Sequence, residues 1–307
     1  MKKFLAVILA LTMIFSLGVT AFADGEEEEA VVELIDTAVA SSIREGAEIP
    51  TYITLPADYD AAAEYELVVM IHGHGGNHNE WGGYDVISNG LAENGQIVVT
   101  LDFPGCGAST ESFQLNTMTN MMQDVLDVIA YMQENYSVVD VDGFGYSMGG
   151  RIILQLLAEE KFMFDSVELV APAEDLEDMK NLFGGAEAWE TMKATANENG
   201  YADFTTVYGQ QQELSKEWFE DLEAWPDGLA EAAAAVYSGP AIVVYAVDDA
   251  AVAPSVSQGV ADILGATVYK TWTEGHSYSF YGSNPVTLAI ANGVSLAFFL
   301  NVEDDMH

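Results

Sequence analysis

Three separated groups of residues could together activate a nucleophile. Gly145-Tyr146-Ser147-Met148-Gly149 is a G-x-S-x-G sequence, placed where the apolar run Val138 to Phe144 ends and the helical spacing of Gly149 to Glu160 begins. A serine on such a strand-to-helix turn is held in a strained conformation with its hydroxyl above the sheet. The flanking glycines leave space for neighbouring backbone, and the helix N-terminus favours a developing anion. A serine hydroxyl alone is a weak nucleophile, so the chemistry demands a general base. Of the five histidines, only His276, in Glu274-Gly275-His276-Ser277, follows a late strand and precedes the final helix. Between Ser147 and His276 lies an acidic pair, Asp248 and Asp249, at the end of the run Ala241 to Ala246. Either carboxylate could hold the imidazole in the required tautomer and stabilise its protonated form. Finally, Ile71-His72-Gly73-His74-Gly75-Gly76 follows a strand and offers backbone N–H groups. The N–H of His74 and that of Met148 are the expected donors to an oxyanion. His72 reads as a structural histidine bonded to loop backbone.

These groups need a scaffold that brings strand ends together. Ile49 to Leu55 reads as an edge strand with Pro50 near its start. Glu66 to Ile71, Ile97 to Leu101, Val138 to Phe144, Ser166 to Val170, Ala241 to Ala246 and Thr267 to Tyr269 read as further strands. Helical spacing runs over Met118 to Asn135, Gly149 to Glu160 and Val286 to Leu300. Continuous apolar strands separated by helices imply a mostly parallel α/β sheet covered on both faces. One stretch breaks the alternation. Glu174 to Ser238 has helical composition, no convincing strand, and fifteen acids against Lys180, Lys193 and Lys216. It is expected to be an inserted helical cap. Most of its aromatics are expected to form its own small core, with Trp189, Trp218 and Trp225 as candidates for substrate contact.

Composition narrows the partners. The chain has 307 residues, half of them hydrophobic, enough for a sizeable core. Its 49 acids against 9 Lys and Arg give a net charge of −40. Such a surface repels phosphate backbones and anionic lipid, so nucleic acid is not an expected partner. Cys106 is the single cysteine, which excludes an intramolecular disulfide framework and thiolate-rich zinc sites. The sequence has no H-E-x-x-H and no EF-hand loop, so neither a metal nor a cofactor is expected.

The N-terminus reads as a leader rather than as part of the fold. Lys2 and Lys3 precede the apolar run Phe4 to Val19, and Ala21-Phe22-Ala23 supplies small residues for cleavage before Asp24. Secretion is the expectation, with no membrane span once residues 1–23 are removed. That removal takes two lysines and no acid, leaving the mature chain near −42. Glu26 to Glu29 reads as a solvated tail.

The chain resembles the α/β-hydrolase superfamily over essentially its whole mature length. The resemblance is carried by His72-Gly73-His74-Gly75-Gly76, Asp102-Phe103-Pro104-Gly105-Cys106-Gly107-Ala108-Ser109, Gly145 to Gly150, Asp248-Asp249 with Val252, and Gly275-His276. The second stretch looks like the D-x-P-G-x-G-x-S loop of members with a helical lid, among them monoacylglycerol lipases, carboxylesterases, feruloyl esterases and proline iminopeptidases. Cys106 stands where such loops often have histidine and reads as structural. The order Ser, Asp, His matches the superfamily. Registering Val252 against the family's D-x-x-V-P spacing favours Asp249 as the acid, although Ala253 interrupts that pattern before Pro254. Relatives that place the acid one strand earlier would instead use Glu174 or Asp175. The resemblance implies a hydrolase core at 24–173 and 239–307, with the cap at 174–238. It implies a serine esterase acting through Ser147, Asp249 and His276 on a small-molecule ester with an apolar acyl or alcohol group, and the leader adds the expectation that it is secreted. Two alternatives are an aminopeptidase of the proline iminopeptidase type, which takes a peptide N-terminus, and a non-catalytic binding protein on the same fold.

Overall fold

The computed structural model describes residues 32–272, 275–278, 280 and 284–306, so the leader and acidic tail lie outside the described residues. Strands β1 (Glu33–Ala40), β2 (Glu48–Leu55) and β3 (Tyr65–Ile71) open the chain, followed by helix α1 (Gly83–Glu93) and β4 (Ile97–Leu101). Then come α2 (Met118–Asn135), β5 (Val138–Tyr146), α3 (Met148–Ala158) and β6 (Val167–Val170). The segment after β6 holds α4 (Leu176–Leu182), α5 (Ala186–Asn199), β7 (Tyr201–Thr205), β8 (Gln211–Ser215), α6 (Lys216–Glu223) and α7 (Leu229–Val236). The chain closes with β9 (Ala241–Ala246), α8 (Pro254–Leu264), β10 (Thr267–Thr271) and α9 (Pro285–Met306).

Eight strands form one sheet in the order β1-β2-β4-β3-β5-β6-β9-β10. The β1–β2 and β2–β4 pairs are antiparallel, and the other pairs are parallel. The apolar strand runs are continuous because alternate residues enter two different cores. Leu67, Val69 and Ile71 join the cluster that includes Met121 and Val125 of α2 and Ile152 and Leu156 of α3. Val68 and Met70 join the opposite cluster, with Tyr84, Ile87 and Leu91 of α1 and Leu288 and Val294 of α9. Buried on both faces, these strands have no polar side to show in the sequence. The expected α/β architecture is the one observed.

Two regions differ from the sequence reading. Strand β1 is not among the expected strands, because Glu33 and Asp36 interrupt its apolar residues and no continuous apolar run marks it. Its side chains are mostly exposed, and it is held by a full antiparallel ladder to β2, from Glu33 opposite Leu55 to Ala40 opposite Glu48. The segment 174–238 is not purely helical: β7 and β8 pair as an antiparallel hairpin whose turn contains Gly209 at φ +85°. The pattern Tyr201-Ala202-Asp203-Phe204-Thr205, with Ala202 buried and Asp203 exposed, is a short strand hidden by the helices around it. Moreover, α7 packs on α3 and α8 rather than standing over the strand ends. Among the described residues no helix is long and apolar enough to cross a membrane.

Candidate active site

The parallel strands bring four loops to one end of the sheet. The β3–β5 register sets Ile71 beside Gly145, so the glycine-rich loop after β3 lies directly against the turn after β5. That turn is as tight as the motif demands. Ser147 has φ 55° and ψ −112°, a strained conformation for a residue with a side chain. Its N–H donates to Val170 O (2.8 Å), and its carbonyl accepts from Ala173 N–H (3.1 Å). A Cβ at Gly145 would fall 2.6 Å from the backbone of Gly149, and one at Gly149 would fall 2.1 Å from Ile71 O. Only glycine fits either position.

The serine faces the histidine expected of it. His276, in a short 3-10 turn over Gly275–Ser277, lies with Nε2 2.9 Å from Ser147 Oγ. On its other side, Nδ1 is 2.9 Å from Asp249 Oδ2. The second oxygen of Asp249 accepts from Ala251 N–H (2.8 Å) and Val252 N–H (3.0 Å), which fixes the carboxylate behind the ring. Tyr146 O–H donates to the carbonyl of His276 (2.8 Å), and so ties the histidine loop to the residue before the serine.

Of the three other candidate acids, Asp175 caps the start of α4, its Oδ1 accepting the N–H of Asp178 (3.0 Å), and the remaining two also do different work. Asp248 Oδ1 accepts the N–H of Gly275 (3.0 Å), so it anchors the loop that carries His276. Glu174 Oε1 accepts from Leu229 N–H (3.2 Å) and Ala230 N–H (3.3 Å), at the first turn of α7. Neither is the carboxylate paired with His276.

The loop after β3 presents the expected donors. Among the described residues, neither His74 N–H nor Met148 N–H has a hydrogen-bond acceptor. Both residues line a cavity of about 820 Å³ that also exposes Ser147 and His276. The His74 ring is neutral: burial pulls its pKa down to about 4. Nε2 lies 2.9 Å from Gln212 Oε1 of β8, while Gln210 Nε2 in the turn before it donates to Gly75 O (3.2 Å), so the hairpin clasps this loop. His72 bonds only loop backbone, with Nδ1 2.7 Å from Gly73 O and Nε2 accepting from Phe103 N–H (3.3 Å), a structural role. Cys106 is buried and free, its thiol pushed well up by burial, which agrees with a structural reading.

The tryptophan candidates require correction. Trp189, Trp218 and Trp225 do not line the cavity. Trp189 and Trp218 are fully buried in a ring cluster with Phe183 and Phe219, at centroid separations of 4.9 to 5.7 Å. Trp225 Nε1 donates to Glu159 Oε1 (3.0 Å) on the core side. The largest rings pack inward because that is where most apolar area leaves water. The cavity wall is made instead by Met179, Leu182, Phe183, Phe204, Val207 and Tyr208 from α4 and the hairpin. Sequence reading also missed Glu80, a buried carboxyl beneath the β3 loop. Nothing in the polar run Asn77-His78-Asn79-Glu80 distinguishes it from surface.

Known proteins share this arrangement. A family model described as the alpha/beta hydrolase fold matches residues 66–208, from β3 through the turn at Ser147 to the hairpin. The chain has the α/β-hydrolase fold. Among solved structures, this chain is similar to Est1E from Butyrivibrio proteoclasticus with ferulic acid bound, at 19% identity and a TM-score of 0.71. That match covers 87% of this chain and 99% of the other. It is also similar to the esterase domain of a Rhodothermus marinus protein (18% identity, TM-score 0.60, 85% and 95% covered). A third is the esterase EaEST from Exiguobacterium antarcticum (17% identity, TM-score 0.58, 85% and 99% covered).

Proposed function

We propose that this α/β hydrolase is a secreted serine esterase that cleaves carboxylic esters with an apolar acyl or alcohol group. The observation that carries the reading is the continuous chain from Ser147 Oγ to His276 Nε2 and from His276 Nδ1 to Asp249, opening on a mostly apolar cavity. In this reaction His276 Nε2 takes the Ser147 proton as Oγ attacks the ester carbonyl. The resulting oxyanion is held by the N–H groups of His74 and Met148, at the N-terminus of α3. Collapse of the tetrahedral intermediate breaks the bond to the alcohol oxygen, which leaves with the proton from His276. Water, deprotonated by His276, then attacks the acyl-serine and releases the carboxylic acid. Secretion rests on the leader-like residues 1–23.

Cavity chemistry supports an ester over a peptide N-terminus. Among the described residues the only acid lining the cavity is Glu80, and burial raises its pKa to about 8. A carboxyl neutral at pH 7 is a poor partner for a substrate ammonium group. Est1E was solved with ferulic acid, and the ring-lined wall here suits an acyl group of that aromatic kind. The test is a hydrolysis panel on the purified protein, pairing p-nitrophenyl esters of increasing acyl length and an aromatic acyl ester with prolyl and alanyl nitroanilides. Ester turnover with an acyl-size optimum is expected; faster cleavage of the free-amine anilides would overturn the reading.

A further inference from the structure

Glu80 is fully buried, yet its carboxyl lines the reactive cavity. Its Oε1 accepts the N–H of Gly73 (2.8 Å), the residue before His74. Its Oε2 has no partner among the described residues. The backbone that delivers it is strained: Glu80 has φ 43° and Trp81 φ 54°, in a region that side chains rarely adopt. The loop above is shaped to receive it, since a Cβ at Gly76 would fall 2.3 Å from Glu80 Oε1. A protein that wanted only a filled space here would hold an apolar residue on relaxed backbone.

We infer that Glu80 is a positioning residue for the oxyanion loop: by holding Gly73 N–H from below, it leaves His74 N–H free and aimed at the substrate oxygen. The inference rests on the reading of Ser147 as nucleophile. The His74 ring is gripped from the other side by Gln212. The loop is therefore fixed between β8 and Glu80, and its N–H can wait unpaired where negative charge develops. Such preorganisation lowers the barrier to the chemical step more than it strengthens substrate binding.

A second consequence comes from the carboxyl's charge. The titratable groups around Glu80 are the Cys106 thiol from the loop after β4, with Asp102 behind it, His74 in the β3 loop, and His276 across the same cavity. Among the described residues no cation pairs with the carboxyl, and burial holds it protonated up to about pH 8. Above that pH, an ionised Glu80 places a negative charge beside the developing oxyanion and slows attack.

The experiment is steady-state hydrolysis of a p-nitrophenyl ester by the full chain and by its E80A, E80Q and S147A variants, each across pH 6 to 10. E80A should lose about 10-fold to 100-fold in kcat with KM within about 3-fold, less than the loss of a whole oxyanion donor. E80Q keeps an acceptor for Gly73 N–H and should restore kcat at pH 7 to within about 3-fold of the parent. It should also remove the decline in kcat above about pH 8 that the parent shows. Wild-type kcat in E80A, or the parent's alkaline decline unchanged in E80Q, would overturn the inference. If E80A does not fold, the E80Q profile decides alone. Activity retained by S147A would instead overturn the nucleophile assignment, whatever the Glu80 variants do.

Discussion

The loops at the strand ends and the segment 174–238, an insertion between β6 and β9, are built on opposite plans. In the loops, single atoms decide: both oxygens of Asp249 are committed, Ser147 is locked on strained backbone, and the glycines around it admit no side chain. In the insertion, bulk decides. Trp189, Trp218, Phe183 and Phe219 pack ring against ring, and the cavity wall is whatever that cluster and the hairpin leave facing inward. A substitution in the first region should remove chemistry while leaving the fold. One in the second should change stability or substrate preference while leaving the chemistry.

The adjacent acids give the sharpest test within the loops. Asp249→Asn should lower kcat by about 10⁴-fold, because the amide favours the wrong imidazole tautomer. Asp248→Asn, which touches only Gly275 N–H, should cost about 3-fold. Equal losses in the two variants would erase the distinction between catalytic acid and loop anchor. Within the insertion, Trp218→Ala should destabilise the protein by about 3–5 kcal/mol in a denaturant melt, as a large buried ring is lost. Phe204→Ala, at the cavity wall, should keep kcat on short acyl esters and lower kcat/KM for bulky ones by about 10-fold. If Trp218→Ala left stability intact but changed acyl preference, the division of labour inside the insertion would be wrong.

The smallest effect concerns pH and the sheet itself. Burial raises Glu80 and Glu168 to about 8, and Asp142 to about 7. In the folded state these carboxyls stay protonated where the unfolded chain has already ionised them. The unfolded state therefore binds fewer protons between about pH 4 and pH 8, and stability falls as pH rises through that window. Asp102, held below the ordinary range, and His72 and His74, buried with pKa values pulled down to about 4, act in the opposite sense, but only below about pH 6.5. Thermal melts should show Tm several degrees lower at pH 9 than at pH 5, and Glu168→Gln should reduce the difference. A Tm that rises toward pH 9 would contradict this charge assignment.

What could be read from the sequence follows the same division. The sheet was legible because strands buried on both faces appear as unbroken apolar runs, and Ser147, His276 and His74 sit at their ends. Adjacent Asp248 and Asp249 point to different partners, Gly275 N–H and His276, and only the loop's path separates them. Strand β1 escaped notice because pairing with β2, not burial, holds it. The tryptophans misled because a large ring in an insertion suits a substrate pocket and a core equally well by composition, and burial favours the core. Glu80 was invisible for the opposite reason. A polar residue in a polar run announces nothing, and only the fold turns its carboxyl inward against Gly73 N–H.

The central claim is that Ser147 is a nucleophile activated by His276. Its most direct test is intact-protein mass spectrometry after treatment with a fluorophosphonate, followed by peptide mapping. A single adduct on the peptide containing Ser147, lost in Ser147→Ala and strongly slowed in His276→Ala, is the predicted result. No adduct on the folded protein, or one on a different residue, would contradict the assignment and favour a binding protein that keeps the hydrolase fold.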